Sequence, residues 1–253
     1  MNFEYQIIND QLYLAPIKAC PDFEFAGLGF TRGNSQAQKS LCEVIKDLDP
    51  PIALNLLQVE AGRFPNSKAY DQLKEREPSF VISPQEELIF FGGSFNPWHR
   101  GHKACLELMG TRKIIVLPDR NPFKDLIELS PVDIYCELFE HLELDRHYLN
   151  PEFILKEDKN PTYAWIKSTH QRFPQVKLSL LMGMDSLDSI DRWFEADKLL
   201  KTINVIYAAS RKEDIGKRVE IHHRLTPYSN LRLVFLGHHP FEDESSTRLR
   251  GGK

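Results

Sequence analysis

From Leu88 onward the chain alternates short apolar runs with stretches of helical periodicity, and this alternation limits the possible folds more than any other feature. The runs Leu88 to Phe91, Lys113 to Leu117, Lys177 to Met182, Ile203 to Tyr207 and Leu231 to Leu236 are strand candidates. Helix candidates lie between them, at about Gly101 to Met109, Val132 to Leu144, Tyr163 to Arg172 and Asp214 to Arg224. Strands that take turns with helices predict an α/β fold built on a doubly wound parallel sheet. Ligands of such sheets gather at the carboxyl ends of the strands, where the strand order reverses, so informative residues should follow strands directly.

The portion before Glu87 reads differently. Phe3, Tyr5 and Ile7 alternate like a strand, and Ser35 to Leu48 has a helical pattern that Pro50-Pro51 is expected to stop. The stretch Glu75 to Glu87, with two prolines and little apolar periodicity, predicts a junction between a small N-terminal α+β unit (1–86) and a second unit (87–253). Gly27 to Gly33 faintly resembles a phosphate loop, but no apolar strand precedes it and its spacing is that of a turn.

Composition narrows the function classes. The 253 residues are 42% hydrophobic and 27% charged, values of an ordinary globular chain. The net charge of −4 lacks the basic excess of a protein that coats nucleic acid, and the first 87 residues hold 8 basic against 13 acidic side chains, so any anion site must be local. No apolar run approaches the roughly 18 residues of a membrane span, and Met1 to Tyr13 lacks the features of a secretory signal. A cytoplasmic protein with no membrane partner is expected. Cys20, Cys42, Cys105 and Cys136 lie far apart, which fits reduced, mostly buried thiols.

The first downstream strand runs straight into Gly92-Gly93-Ser94-Phe95-Asn96-Pro97-Trp98-His99-Arg100-Gly101-His102, and a helix follows. Glycines let backbone amides approach a phosphate, and a helix start adds free N–H groups and partial positive charge, so the segment is read as an anion seat. His99 and His102, three apart, can face the same ligand from the first helical turn, with Gly101 leaving room between them. Two histidines without a third ligand at sensible spacing argue against a metal site. The pairs His222-His223 and His238-His239 read as solvated loop residues.

The segment Gly93 to His102 (G-S-F-N-P-x-H-x-G-H) resembles the first signature of the nucleotidylyltransferase superfamily. Four later pieces are similar to nicotinate (nicotinamide) mononucleotide adenylyltransferases: Gly183-Met184-Asp185-Ser186-Leu187 followed by Trp193, Pro161-Thr162-Tyr163, Arg211 after a strand, and Ser245-Ser246-Thr247-Arg248-Leu249-Arg250. The resemblance covers about Leu88 to Arg250. It implies a Rossmann-like sheet and attack of a mononucleotide 5′-phosphate on the α-phosphorus of ATP, giving a dinucleotide and pyrophosphate, as in pyridine nucleotide biosynthesis.

The implied roles fall on named residues. Gly92, Gly93, Ser94 and Phe95 would hold ATP, while His99 and His102 would give hydrogen bonds or positive charge to the triphosphate. Ser246, Thr247 and Arg250 would grip the β- and γ-phosphates, and Asp185 would meet a ribose hydroxyl or orient a magnesium ion that ATP carries in. Trp193 would stack on the pyridine ring of the acceptor, Thr162 and Tyr163 would line its pocket, and Lys124 with Arg211 would bridge phosphates. Four positions depart from the family pattern: Phe123 for a histidine, Ala164 for a threonine, Lys212-Glu213 after Arg211, and Asp133 near an expected arginine. These leave open whether the acceptor is nicotinate or nicotinamide mononucleotide. Phosphopantetheine as acceptor, or a sensor that binds nucleotide without turnover, are the alternatives. Relatives continue into a further helix after the last motif, so the N-terminal unit is expected to cover surface which that helix would protect.

Overall fold

The computed structural model describes residues 3–8, 11–16, 45–46, 50–76, 81–119, 130–143, 146–156, 160–212, 214–241, 244 and 249. The elements in chain order are β1 (Phe3–Ile8), β2 (Gln11–Pro16), α1 (Pro50–Gly62), α2 (Tyr70–Arg76), β3 (Glu87–Gly93), α3 (Arg100–Leu108), β4 (Ile114–Pro118), α4 (Pro131–Phe139), β5 (His147–Leu149), α5 (Thr162–Arg172), β6 (Lys177–Gly183), α6 (Met184–Asp188), α7 (Ala196–Thr202), β7 (Val205–Ser210), α8 (Ile215–Leu225) and β8 (Arg232–His238). β1 and β2 form an antiparallel pair with Phe3 opposite Pro16. The Gly27 to Gly33 turn and most of the expected Ser35 to Leu48 helix lie outside the described residues.

β3 to β8 form one six-stranded, all-parallel sheet in the order β5-β4-β3-β6-β7-β8. The doubly wound sheet expected from the alternation is therefore present, and its order reverses between β3 and β6. β4 is buried along its whole length and β6 at its five central residues, as strands covered on both faces must be. One apolar cluster, including Ile89, Phe91, Val116, Leu181 and Tyr207, fills one side of the sheet, and a second, including Leu88, Phe90, Ile115, Leu178, Leu180 and Ile206, fills the other. Strand residues of successive number enter opposite clusters, which is the period of two expected of a pleated strand.

Helix boundaries follow local chemistry. Ser130 caps α4 by accepting the Asp133 N–H, and Pro131 stands at the first helical position. The same preference places Pro50-Pro51 at the start of α1, where a proline gives up an N–H that has no intrahelical partner. α4 also stops at Phe139, five residues before the expected end.

The segment between 45 and 82 packs into the same two clusters as the sheet. Ile45, Ala53, Leu56 and Leu57 join the cluster of Phe91 and Tyr135, whereas Phe64 joins that of Phe90 and Trp165. Polar ties accompany the packing: Asn66 donates to Glu152 at 3.2 Å and accepts from Asn150 at 3.2 Å, and Arg172 donates to the Pro65 carbonyl at 2.9 Å. Buried Arg63 is paired with buried Glu60 at 2.8 Å. A chain beginning at Gln85 would expose these apolar partners to water at a cost of about 25 cal/mol per Å². It is expected to melt below the whole chain and to sediment as aggregate; equal melting temperature and solubility would contradict the packing described.

Candidate active site

A cavity of about 800 Å³ opens at the carboxyl ends of the strands and is lined from both sides of the reversal between β3 and β6. Such a volume suits a nucleotide-sized ligand. Of the residues singled out in the sequence, Gly92, Gly93, Ser94, Phe95, His99, His102, Thr162, Asp185, Trp193 and Arg211 line it. Tyr163 is not among the lining residues and packs beside the cluster of Phe90. Lys124, Phe123, Ser246, Thr247 and Arg250 lie outside the described residues.

The turn after β3 is shaped by its aromatics. Phe95 is buried with a backbone φ of 45°, and its ring meets those of Phe91, Trp98 and His102 at 5.0, 5.4 and 5.0 Å. A Cβ on Gly93 would sit 2.9 Å from the Phe95 ring, so glycine is required there by the turn's own packing, whereas a Cβ on Gly92 would meet nothing within 4 Å. Gly92 thus leaves backbone open toward the cavity. His99 caps α3 through its carbonyl, which accepts the His102 N–H at 3.0 Å, and the two imidazoles stack with centroids 3.6 Å apart. Gly101 permits this: a Cβ there would lie 3.0 Å from the Nδ1 of His99.

Burial, with the Arg211 guanidinium as the next cause, pushes the His99 imidazole down to about 4 although Glu244 opposes the shift. His99 is therefore a neutral hydrogen-bond donor near pH 7, which narrows the expected choice between hydrogen bond and positive charge. Positive charge comes from Arg211 instead, at the end of β7, held 3.2 Å from the three-quarters exposed Asp185 carboxylate. Glu244, the residue before the Ser245-to-Arg250 motif, accepts the Arg100 backbone N–H at 3.1 Å and is clamped by the Arg100 guanidinium. That contact lowers the Glu244 carboxyl and fixes it at the start of α3.

The residues of this chain from 90 to 252 match the family model described as cytidylyltransferase-like. The chain belongs to the cytidylyltransferase-like family. Relatives at the sequence level include a probable nicotinate-nucleotide adenylyltransferase of Helicobacter pylori, 34% identical over 127 residues that make up 48% of this chain and 73% of that protein. Another of the same description, from Methylacidiphilum infernorum, is 28% identical over 174 residues, 64% of this chain and 78% of that one. The fold is shared with the Plasmodium falciparum nicotinic acid mononucleotide adenylyltransferase solved with NaAD, at a TM-score of 0.50 and 20% identity over 66% of this chain and 83% of that one.

Sequence reasoning missed several residues lining this cavity. Asp119 follows β4 and donates its N–H to the Gly93 carbonyl at 2.9 Å; as the first residue after a strand it fitted the rule used for the others. Phe153 and the exposed Phe194 add aromatic surface beside Trp165 and Trp193. His239, expected as a solvated loop residue, is only 5% exposed and lines the cavity, which corrects the sequence reading. His222 and His223 are exposed as expected, but in the last turn of α8 rather than in a loop.

Two histidines make stability depend on pH. Burial also pushes His147 down to about 4, with Arg146 adding to it. An unfolded histidine titrates near 6.5, so between about pH 6.5 and 4 the unfolded chain binds more protons than the folded one, and stability falls as the solution is acidified through that window. The melting temperature is expected to drop from pH 7 to pH 4.5, and less steeply in His147→Asn, which keeps an acceptor near Nδ1 and cannot titrate. A melting temperature that rises on acidification would contradict this.

Proposed function

We propose that this chain transfers the adenylyl group of ATP to the 5′-phosphate of nicotinate mononucleotide, or its nicotinamide counterpart, in NAD biosynthesis. The observation that carries the reading is the meeting of the His99–His102 pair with Arg211 and Trp193 around one cavity at the sheet's reversal point. The family membership and the relatives' names support a nucleotidyltransferase. A phosphate monoester is largely dianionic at neutral pH, its second pKa being near 6, so the nucleophile requires no general base. A 5′-phosphate oxygen forms a bond to the α-phosphorus as the bond from that phosphorus to the bridging oxygen breaks, and the electron pair leaves with pyrophosphate. His99 and His102 donate hydrogen bonds where that charge accumulates, and Arg211 offsets it.

The other assignments follow from the same reading. Gly92 to Phe95, with Ser246, Thr247 and Arg250, hold the triphosphate; Lys124 joins Arg211 on the phosphates; Thr162 and Trp193 form the acceptor side, with Tyr163 packed behind it against the Phe90 cluster; Asp185 meets the ribose or the metal. Magnesium would enter as part of the substrate, as MgATP, because the triphosphate itself supplies oxygen ligands. Asp119 and Asp185 offer the oxygen ligands a hard cation prefers. No described helix is long and apolar enough to cross a membrane, and the cytoplasm, where ATP is made available and thiols such as Cys105 and Cys136 stay reduced, is the compartment we assign. The unit 87–253 carries the reaction, and the preceding residues brace it. Pyrophosphate release from MgATP, with nicotinate mononucleotide, nicotinamide mononucleotide and phosphopantetheine offered in turn, tests the assignment. Release with a pyridine mononucleotide is expected; release with phosphopantetheine alone, or with none, overturns it.

A further inference from the structure

We propose that His239 is a third imidazole of this site and binds the polyphosphate tail of the nucleoside triphosphate by donating its Nε2–H to a phosphate oxygen. This inference rests on the reading that the cavity holds ATP, and it adds a residue that the motifs do not contain.

The backbone brings His239 there by an irregularity. β7 and β8 pair in register from Val205 and Arg232 to Ala208 and Phe235, and then Ala209 pairs with Gly237, so β8 carries one residue more than β7 at this point. Gly237 absorbs the bulge at a φ of 110°, a conformation that side-chain-bearing residues rarely adopt. A bulge re-aims the residues that follow it. Here His238 ends the strand exposed, whereas His239, anchored by its N–H to the Ser210 carbonyl at 3.0 Å, turns into the cavity.

The hydrogen bonding then fixes which nitrogen carries the proton. The Phe241 N–H donates to His239 Nδ1 at 3.3 Å, so in the neutral ring Nδ1 is the acceptor and Nε2 holds the hydrogen. Burial holds the group in that neutral form, with Arg211 and His238 acting in the same direction and Glu244 against them. The ring shares the space over Gly101 with that of His99: a Cβ on Gly101 would lie 3.0 Å from His99 Nδ1 and 3.5 Å from His239 Cε1. The missing side chain of Gly101 therefore seats two imidazoles above the first turn of α3, with the Arg211 cation close enough to both to lower them. Two neutral N–H donors and a guanidinium around backbone opened by Gly92 form a surface that recognises an anion, and the long anion of this reaction is the triphosphate or the pyrophosphate it becomes.

Leucine and glutamine at position 239 separate this role from packing. Leucine fills similar space without a donor, while glutamine keeps an N–H near the reach of Nε2. Titration calorimetry of the full chain with pyrophosphate and with a non-hydrolysable ATP analogue reads the contact without turnover, and steady-state kinetics add the two KM values. His239→Leu is expected to weaken both ligands about 10-fold, the size of one hydrogen bond to a charged group, and to raise the ATP KM alike. His239→Gln should recover most of this, with the acceptor KM within about 2-fold of wild type in both. Equal affinity in wild type and His239→Leu, or ATP and acceptor constants that worsen together, would overturn the proposal. If His239→Leu fails to fold, the ring Nε2–H of wild-type His239, assigned by its loss in His239→Gln, must shift on addition of pyrophosphate; an unmoved signal overturns the proposal equally. Wild type that binds the analogue but releases no pyrophosphate with any acceptor would defeat the proposed function while leaving the His239 test intact. Wild type that binds neither ligand would overturn both.

Discussion

Replacing His102 with alanine is expected to lower turnover on the order of 10²-fold or more while the melting temperature stays near that of the wild type, because one donor aimed at developing charge contributes about 3 kcal/mol to the transition state. The imidazole stacks on His99 with centroids 3.6 Å apart and packs edge-on against Phe95, so its removal takes a donor from the phosphates without opening the sheet. Alignment of two bound substrates contributes more, up to about 7–11 kcal/mol, which is why residual activity should survive the loss of one histidine. Both KM values should change less than kcat. Near wild-type turnover in the variant would remove His102 from the mechanism.

Gly93→Ala is expected to lower turnover by a similar factor for a different reason, displacement of the turn. The added Cβ would come within 2.9 Å of Phe95 Cε1 and 3.1 Å of its Cζ, and that ring is wedged among Phe91, Trp98 and His102. The ring cannot yield without moving His102, and displacements of about 1 Å cost on the order of 10²-fold in activity. Overpacking should also cost about 1–3 kcal/mol of stability, read from urea unfolding. Gly92→Ala separates space from approach: its Cβ meets nothing within 4 Å, so its stability should match the wild type. A loss of ATP affinity in Gly92→Ala would then report the blocked backbone alone. Full activity in Gly93→Ala would show that the turn is looser than the packing around Phe95 describes.

The sheet was legible because its strands are short apolar runs, such as Leu88 to Phe91, set between amphipathic helices. β5 escaped because its three residues, His147–Leu149, include a histidine and a tyrosine and owe their strand form to pairing with β4. The grouping of the turn at Gly92 with the histidines at 99 and 102 was legible because all of them lie within eleven residues between a strand and a helix start, and they line one cavity. His239 was not, since its orientation depends on a bulge in β8, and nothing in Gly-His-His-Pro says which histidine turns inward. Pro50-Pro51 reads in the sequence only as a helix stop, whereas proline also begins helices, and the buried face formed by Ala53, Leu56 and Leu57 shows that one begins here. Where the residues before Glu87 dock was equally invisible, because the ties of Asn66 to Asn150 and Glu152 join partners more than eighty positions apart in sequence.

Attack of an acceptor phosphate oxygen on the α-phosphorus of ATP in this cavity can be followed by isotope labelling. Nicotinate mononucleotide carrying oxygen-18 in the non-bridging positions of its 5′-phosphate is incubated with MgATP and the enzyme, and both products are weighed by mass spectrometry. The dinucleotide is expected to retain all of the label and the pyrophosphate to contain none. Label in the pyrophosphate, or pyrophosphate release without formation of a dinucleotide, would contradict it.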